Sequence, residues 1–343
     1  MKKNIAFLGV LILIFIIITS ILLKFNNPME NNKNDKIQIV ATLFPQYDFA
    51  KQIGGDKVDV KLLLPSGSES HTYEPTPQDM VMINNSDMFI YTGEEMEPWA
   101  ENLISGMKNN INVIDLSKSV ELIKTEEFEE EHENEEENKR ENDETQEKLN
   151  EKSHEESHEE SHEETHEHTY DPHIWLNPQY AIKMVEQIEE QLCKIDPDNT
   201  EYYHKNANNY INQIAQLDKE IEQTVEQSST KKIAFGGSFA YAYFVERYNL
   251  QFISAYDTCG EGAEPSTLQV KSVIDYINKN KIPVVFYKEY TTGNIAKTIS
   301  EATGAKMLVF NTIHNLSKDE LQNGETYVSM MRKNLENLKQ ALN

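Results

Sequence analysis

This sequence of 343 residues is short of cysteine, and short of positive charge relative to negative. Its two cysteines, Cys193 and Cys259, stand too far apart for a CxxC metal or redox motif, and two thiols make no disulfide framework. A pairing between them is left open. Lys and Arg number 32 against 58 Asp and Glu, for a formal charge of −26. Such a chain repels phosphate, which argues against nucleic acid, and it suits a cationic ligand. Much of the charge is local. Residues 124–170 hold 21 Asp or Glu against 5 Lys or Arg, about 16 of the 26 negative charges. Hydrolase signatures are weak as well. His-Glu-x-x-His occurs only within the Ser-His-Glu-Glu repeats between His154 and His166, a low-complexity acidic tract and not an apolar-faced helix, and Gly236-Gly237-Ser238 lacks the following glycine of a nucleophile elbow.

One long apolar run is present, at the start. Lys2 and Lys3 precede an uncharged stretch from Ile5 to Leu23, closed by Lys24. Its length suffices for a membrane span, and the leading lysines favour a cytoplasmic N-terminus. No cysteine follows for a lipid anchor, and no small-x-small cleavage site is evident. The expectation for 1–24 is a signal-anchor or signal peptide. A polar linker over 25–36 follows, with the remainder outside the cytoplasm.

From residue 37 onward, strand and helix signals alternate. Strands are expected at 37–43, Val58–Leu64, Met88–Tyr91 and Val113–Leu116, with helices over 46–53 and from Thr76-Pro77. Helical periodicity returns over 178–195. It then runs from Thr200 to about Gln227 through Tyr203, Ala207, Tyr210, Ile211, Ile214, Leu217, Ile221 and Val225. A second alternating series fills 229–343. The expected fold is α/β: two lobes with mainly parallel sheets, 37–199 and 229–343, joined by a long connecting helix over 200–228.

Residues 124–170 interrupt the first lobe. They are Glu, Asn, Lys and His with almost nothing apolar, a composition expected to stay disordered. Ser-His-Glu-Glu repeats at 153–156, 157–160 and 161–164, followed by Thr165-His166-Glu167-His168. A solvated acidic tether accounts for the glutamates but not for regular histidines. His154, His158, His162, His166 and His168 are therefore candidates for weak, exchanging metal sites.

Two stiffer constellations remain. Pro65-Ser66-Gly67-Ser68-Glu69-Ser70-His71-Thr72-Tyr73-Glu74-Pro75-Thr76-Pro77 puts His71 in a loop at the carboxyl end of a strand, the edge where open α/β sheets bind ligands. Asp171-Pro172-His173-Ile174-Trp175-Leu176-Asn177-Pro178 sets a second histidine among apolar residues between prolines. Neutral imidazole is a preferred zinc ligand, although a lone histidine in either setting is commonly just solvated or a core residue.

Taken together, His-x-x-Glu-Pro-Thr-Pro and Asp-Pro-His-x-Trp-Leu-Asn-Pro, with an acidic His-rich loop ahead of the second, resemble the metal-specific solute-binding proteins of zinc and manganese ABC importers. The likeness spans roughly 37–343. It implies two lobes with a metal in the cleft between them, an extracytoplasmic monomer, and partnership with a permease and, through it, an ATPase. The cargo implied is Zn2+, with Mn2+ the alternative. The family's two N-lobe histidines fall on His71 and His173. Its third ligand falls on Ser238 and its fourth near Asn311, both poor zinc ligands. Glu289, His314, Asp257 and Glu74 are the candidates to complete the set, Glu289 and His314 foremost. A different role is open to Glu289, as an acceptor that orients a histidine. A zinc hydrolase, and an adhesin or surface zinc buffer without a transporter, are the competing functions.

Overall fold

Why these residues form these elements is visible at their ends. In a computed structural model, which describes residues 36–68, 70–107, 111–125, 169–256 and 265–343, the first strand β1 (Ile37–Ala41) leads into helix α1 (Phe44–Gly54). The helix begins two residues earlier than the sequence suggests. Pro45 sits in its first turn, and the Gln46 side chain reaches back to accept the Leu43 N–H at 2.6 Å. Gly55 ends it at φ 53°, where a Cβ would lie 2.2 Å from the Tyr202 hydroxyl. Strand β2 (Val58–Leu62) precedes the His71 loop, and α2 (Pro77–Asn84) follows it. Thr76 and Asp79 form a reciprocal cap at the start of α2. The wholly buried β3 (Met88–Tyr91), the short α3 (Ala100–Ser105) and β4 (Asn112–Asp115) complete a sheet of order β2-β1-β3-β4. Pairs β1–β3 and β3–β4 are parallel.

The described residues continue at Thr169. Lys124 and Tyr170 form an antiparallel bridge, so the two ends of the 124–170 tract are clamped together. The stretch between them, 126–168, lies outside the described residues, as do the apolar run Ile5–Leu23, Asp257 and Cys259. No helix among the described residues is long and apolar enough to cross a membrane.

Asn177 then caps α4 (Pro178–Ile195) by accepting the Gln179 N–H at 2.9 Å. After a tight turn comes α5 (Thr200–Glu226), 27 residues and so about 40 Å long. Its buried stripe of Tyr203, Ala207, Tyr210, Ile214, Leu217, Ile221 and Val225 follows the expected periodicity, with Ile211 only half-buried at its edge. The second sheet runs β6 (Gln251–Ser254), β5 (Lys232–Phe235), β7 (Val284–Tyr287), β8 (Lys306–Val309), with every pair parallel. Around it lie α6 (Ala242–Tyr248), α7 (Thr267–Asn280), α8 (Asn294–Thr303), α9 (Lys318–Gln322) and α10 (Tyr327–Leu342). Each sheet has its own core, one around Val40, Ile83, Phe89 and Leu103, the other around Val273, Ile277, Val285 and Ile299.

Buried carboxylates tie the long helix to both lobes. Asp48 of α1 accepts from the Tyr210 hydroxyl of α5 and from the Tyr327 N–H of α10, the latter at 2.9 Å. Asp218 of α5 accepts from Tyr248 (2.8 Å), Arg247 (2.7 Å) and Gln179 (2.6 Å).

Candidate metal centre

Three loops meet between the sheets, and each carries a histidine. His71 follows β2, His173 precedes α4, and His314 follows β8. One ring nitrogen from each lies within 4.8 Å of the other two. Ring centroids are 4.8 Å apart for His173 and His314, 5.3 Å for His71 and His314, and 5.4 Å for His71 and His173. Zn–N bonds of about 2.0–2.1 Å put tetrahedral donors about 3.4 Å apart, so sub-ångström adjustments convert this cluster into half or more of a zinc shell.

His173 is completely buried, with the rings of His71, Trp175 and His314 around it. Its Nδ1 is 2.9 Å from Asp171 Oδ1, which also accepts the His173 backbone N–H at 2.8 Å. A carboxylate accepts only, so Nδ1 carries the proton and the Nε2 lone pair is left for the cluster. Nε2 is buried with no hydrogen-bond partner.

His314 is built the same way through a longer chain. Its Nδ1 contacts the Thr312 hydroxyl, whose proton goes to Glu289 Oε1 at 2.6 Å. Glu289 also accepts the N–H groups of Thr312 (2.8 Å) and Ile313 (3.2 Å). Those bonds hold Ile313 at φ 62°, a left-handed conformation that a β-branched residue resists and that the surrounding hydrogen bonds over-determine. His314 Nε2, like that of His173, is buried without a hydrogen-bond partner. Burial first, then the neighbouring His173 and His71, hold the His314 imidazole well below its usual range, hence neutral. Burial pushes Glu289 upward, against the pull of its Thr312 hydrogen bonds.

A polar seam closes around the cluster. The Trp175 indole N–H donates to the Thr312 carbonyl (2.7 Å), and the Phe44 N–H to the His314 carbonyl (2.9 Å). Asn315 Nδ2 donates to the carbonyls of Pro65 (2.6 Å) and Ser68 (3.1 Å), and the Gly67 N–H to that of Leu316 (3.2 Å). Behind His173, a cavity of about 260 Å³ is lined by Glu94, Glu95, Glu101, Asp115 and Asp171. It also touches Leu122 and Tyr170, at the clamped base of the 126–168 tract.

Of the residues singled out from sequence, His71, His173 and His314 come together and Glu289 does not join them. Both Glu289 oxygens are engaged by Thr312 and Ile313, so the carboxylate sits one residue behind the cluster, as the orienting acceptor. Asn311 is committed to α10: its N–H and amide donate to Asn334 Oδ1 (2.7 and 3.0 Å). Ser238 is half-buried and Glu74 exposed, both outside the cluster. Sequence reasoning gave no role to Asp171 or Thr312. Each stands two residues before its histidine, and an acceptor-x-His spacing was the available signal.

The family model "ZnuA: Zinc-uptake complex component A periplasmic" matches residues 39–341. The chain belongs to the ZnuA family. Within it, the high-affinity zinc uptake system protein ZnuA of Bacillus subtilis is 35% identical over 313 residues, covering 91% of this chain and 89% of that protein. The zinc-binding lipoprotein AdcA of Streptococcus pneumoniae is 31% identical over 312 residues, and there the match spans only 57% of the longer protein. Among solved structures, the Zn(II)-bound ZnuA-like domain of that AdcA superposes with a TM-score of 0.69 at 30% identity, over 90% of this chain and 99% of the domain. The lipoprotein YcdH of Bacillus subtilis gives 0.70 at 30% identity, over 90% and 99%. ZnuA-family proteins are transport components rather than enzymes, and the two-lobed parallel α/β architecture is theirs.

Proposed function

We propose that this chain captures Zn2+ outside the cytoplasm on His71, His173 and His314 and hands it to the permease of an ABC importer. The observation that carries the reading is the pair of buried, unpartnered Nε2 atoms on His173 and His314, each with its Nδ1 held by an acceptor. Buried polar atoms are left unsatisfied only at a cost, and a cation is what two imidazole lone pairs can both serve. Three nitrogen donors favour zinc over manganese, which prefers oxygen. Asp171 stands directly behind one ring, and Glu289, through Thr312, behind another; such acceptors orient the rings and make them better donors. The fourth position is left to water or to a donor from elsewhere in the chain.

The histidines at 154, 158, 162, 166 and 168 serve as weak collecting sites. The clamp at Lys124 and Tyr170 fixes the tract's base beside Asp171 and the acidic cavity, so ions gathered there are released near His173. The Ile5–Leu23 run tethers the chain to the membrane, and the binding unit works as a monomer. Zinc competition against a chromogenic chelator tests the site. His173→Ala and His314→Ala should each weaken the tight site by about tenfold or more, while Ser238→Ala leaves it unchanged. Full affinity in both histidine variants would remove the cluster from the mechanism.

A further inference from the structure

A second group of metal-ligating side chains lies in the hairpin of α4 and α5. Glu189 and Cys193 are one turn apart on α4 and so share a face. His204 stands near the start of α5, and one ligand atom from each of the three lies within 4.8 Å of the others. His204 Nδ1 is already in contact with the Glu189 carboxylate. The turn that sets the two helices face to face is rigid. Pro197 is in it, and Asp196 Oδ2 accepts from both Asn199 Nδ2 and the Tyr203 hydroxyl at 2.7 Å. Backbone elements, not loops, therefore fix the donor spacing.

From this geometry we infer a second cation site on the helical hairpin, formed by Glu189 Oε1, Cys193 Sγ and His204, for a divalent ion of the zinc class. One thiolate, one imidazole and one carboxylate are the three donor types that zinc accepts, and hard oxygen-seeking cations gain nothing from the sulfur. The site differs from the cleft in kind. Its side chains are graded outward, with 14% of the Glu189 side chain exposed and 56% of that of His204. Solvent completes the coordination there, and the ion exchanges with solvent without any movement of the lobes. A bound cation cross-links α4 to α5 beside the turn that joins them. An ion pair between Glu189 and a protonated His204 explains two of the three groups, but it gives no reason for the thiol to complete a triangle of donors.

The thiol gives the site a signature that the described cleft residues and the 126–168 tract do not share, and Cys259, outside the described residues, is removed in the test. Co2+ is titrated into the reduced full chain carrying Cys259→Ser, and the near-ultraviolet thiolate-to-cobalt charge-transfer band is followed. The band should appear and saturate. Adding Cys193→Ser should abolish it, and His204→Ala should weaken cobalt affinity by about tenfold or more. His173→Ala should leave the band unchanged, which separates this site from the cleft. No band, or a band with the same affinity in His204→Ala, overturns the assignment. Because His204 is largely exposed, that variant keeps the test decisive even where Cys193→Ser folds poorly.

Discussion

Replacing Thr312 with Val isolates the relay that aims His314. The two side chains have nearly the same shape, and the position is 1% exposed, so packing is preserved. The Thr312 N–H still reaches Glu289 Oε2 at 2.8 Å, and its carbonyl still accepts from Trp175 at 2.7 Å. Glu289 Oε1 keeps the Ile313 N–H at 3.2 Å, so the left-handed turn before His314 stays pinned. Only the hydroxyl goes. With it goes the acceptor that keeps the proton on His314 Nδ1 and the lone pair on Nε2. Loss of such an orienting group typically costs 10- to 100-fold in metal affinity, or about 1.4–2.7 kcal/mol. Zinc competition at neutral pH should show that loss in Thr312→Val, and Thr312→Ser should recover most of it. Denaturant unfolding of the metal-free variants checks that the fold is kept, since an unsatisfied Nδ1 also destabilises by about 1–3 kcal/mol. A Thr312→Val protein with wild-type zinc affinity would refute the relay. So would a Ser variant as impaired as Val.

Glu289→Gln should weaken zinc binding more than Ser238→Ala, since Glu289 braces the His314 turn while Ser238 stands outside the cluster; the reverse order would return the third-ligand role to Ser238. Deleting 126–168 should remove a class of weak zinc sites, seen by calorimetric titration, and leave the tight one; loss of the tight site would make the tract a donor to the cleft. Glu97 gives a pH prediction. Burial pushes its carboxyl up to about 7 from 4.5, although Thr42, Gly93 and Thr92 hydrogen-bond it. The folded chain therefore holds a proton that the unfolded chain releases, and stability falls by about 3 kcal/mol as pH rises from 4.5 to 7. Glu97→Gln keeps the acceptor for the Thr92 and Gly93 N–H groups, both 3.1 Å away. Urea unfolding should show that pH slope flattened and the variant more stable than wild type at pH 8; an unchanged slope would remove Glu97 as its source.

How much of this could be read in advance depends on the range of the interaction. The stripes of α4 and α5 are local patterns many turns long, and their residues were legible almost to the ends. The short α3 and α9 were not, because Ala100–Ser105 and Lys318–Gln322 are too brief for a period to show. His71 and His173 stand in distinctive proline-flanked loops. His314 has no such frame. It reaches the cluster because Ile313 takes a left-handed conformation that Glu289, on a neighbouring strand's end, stabilises from 24 positions away in sequence. A contact of that kind leaves no periodic trace. The engagement of both Glu289 oxygens, which removes it from the cluster, is likewise a tertiary fact.

The hydrogen bonds from Asn315, Gly67, Phe44 and Trp175 that close the cleft use amides, carbonyls and an indole, none of them a zinc donor. None of them has the ion as a partner. A receptor whose lobes must shut around each cargo shows an affinity reduced by the fraction of molecules already shut. Contacts that hold the loops together without touching the ion raise that fraction and bring capture nearer the intrinsic strength of the imidazoles. Delivery carries the burden instead. A permease that takes the ion works against these hydrogen bonds as well as against the imidazoles.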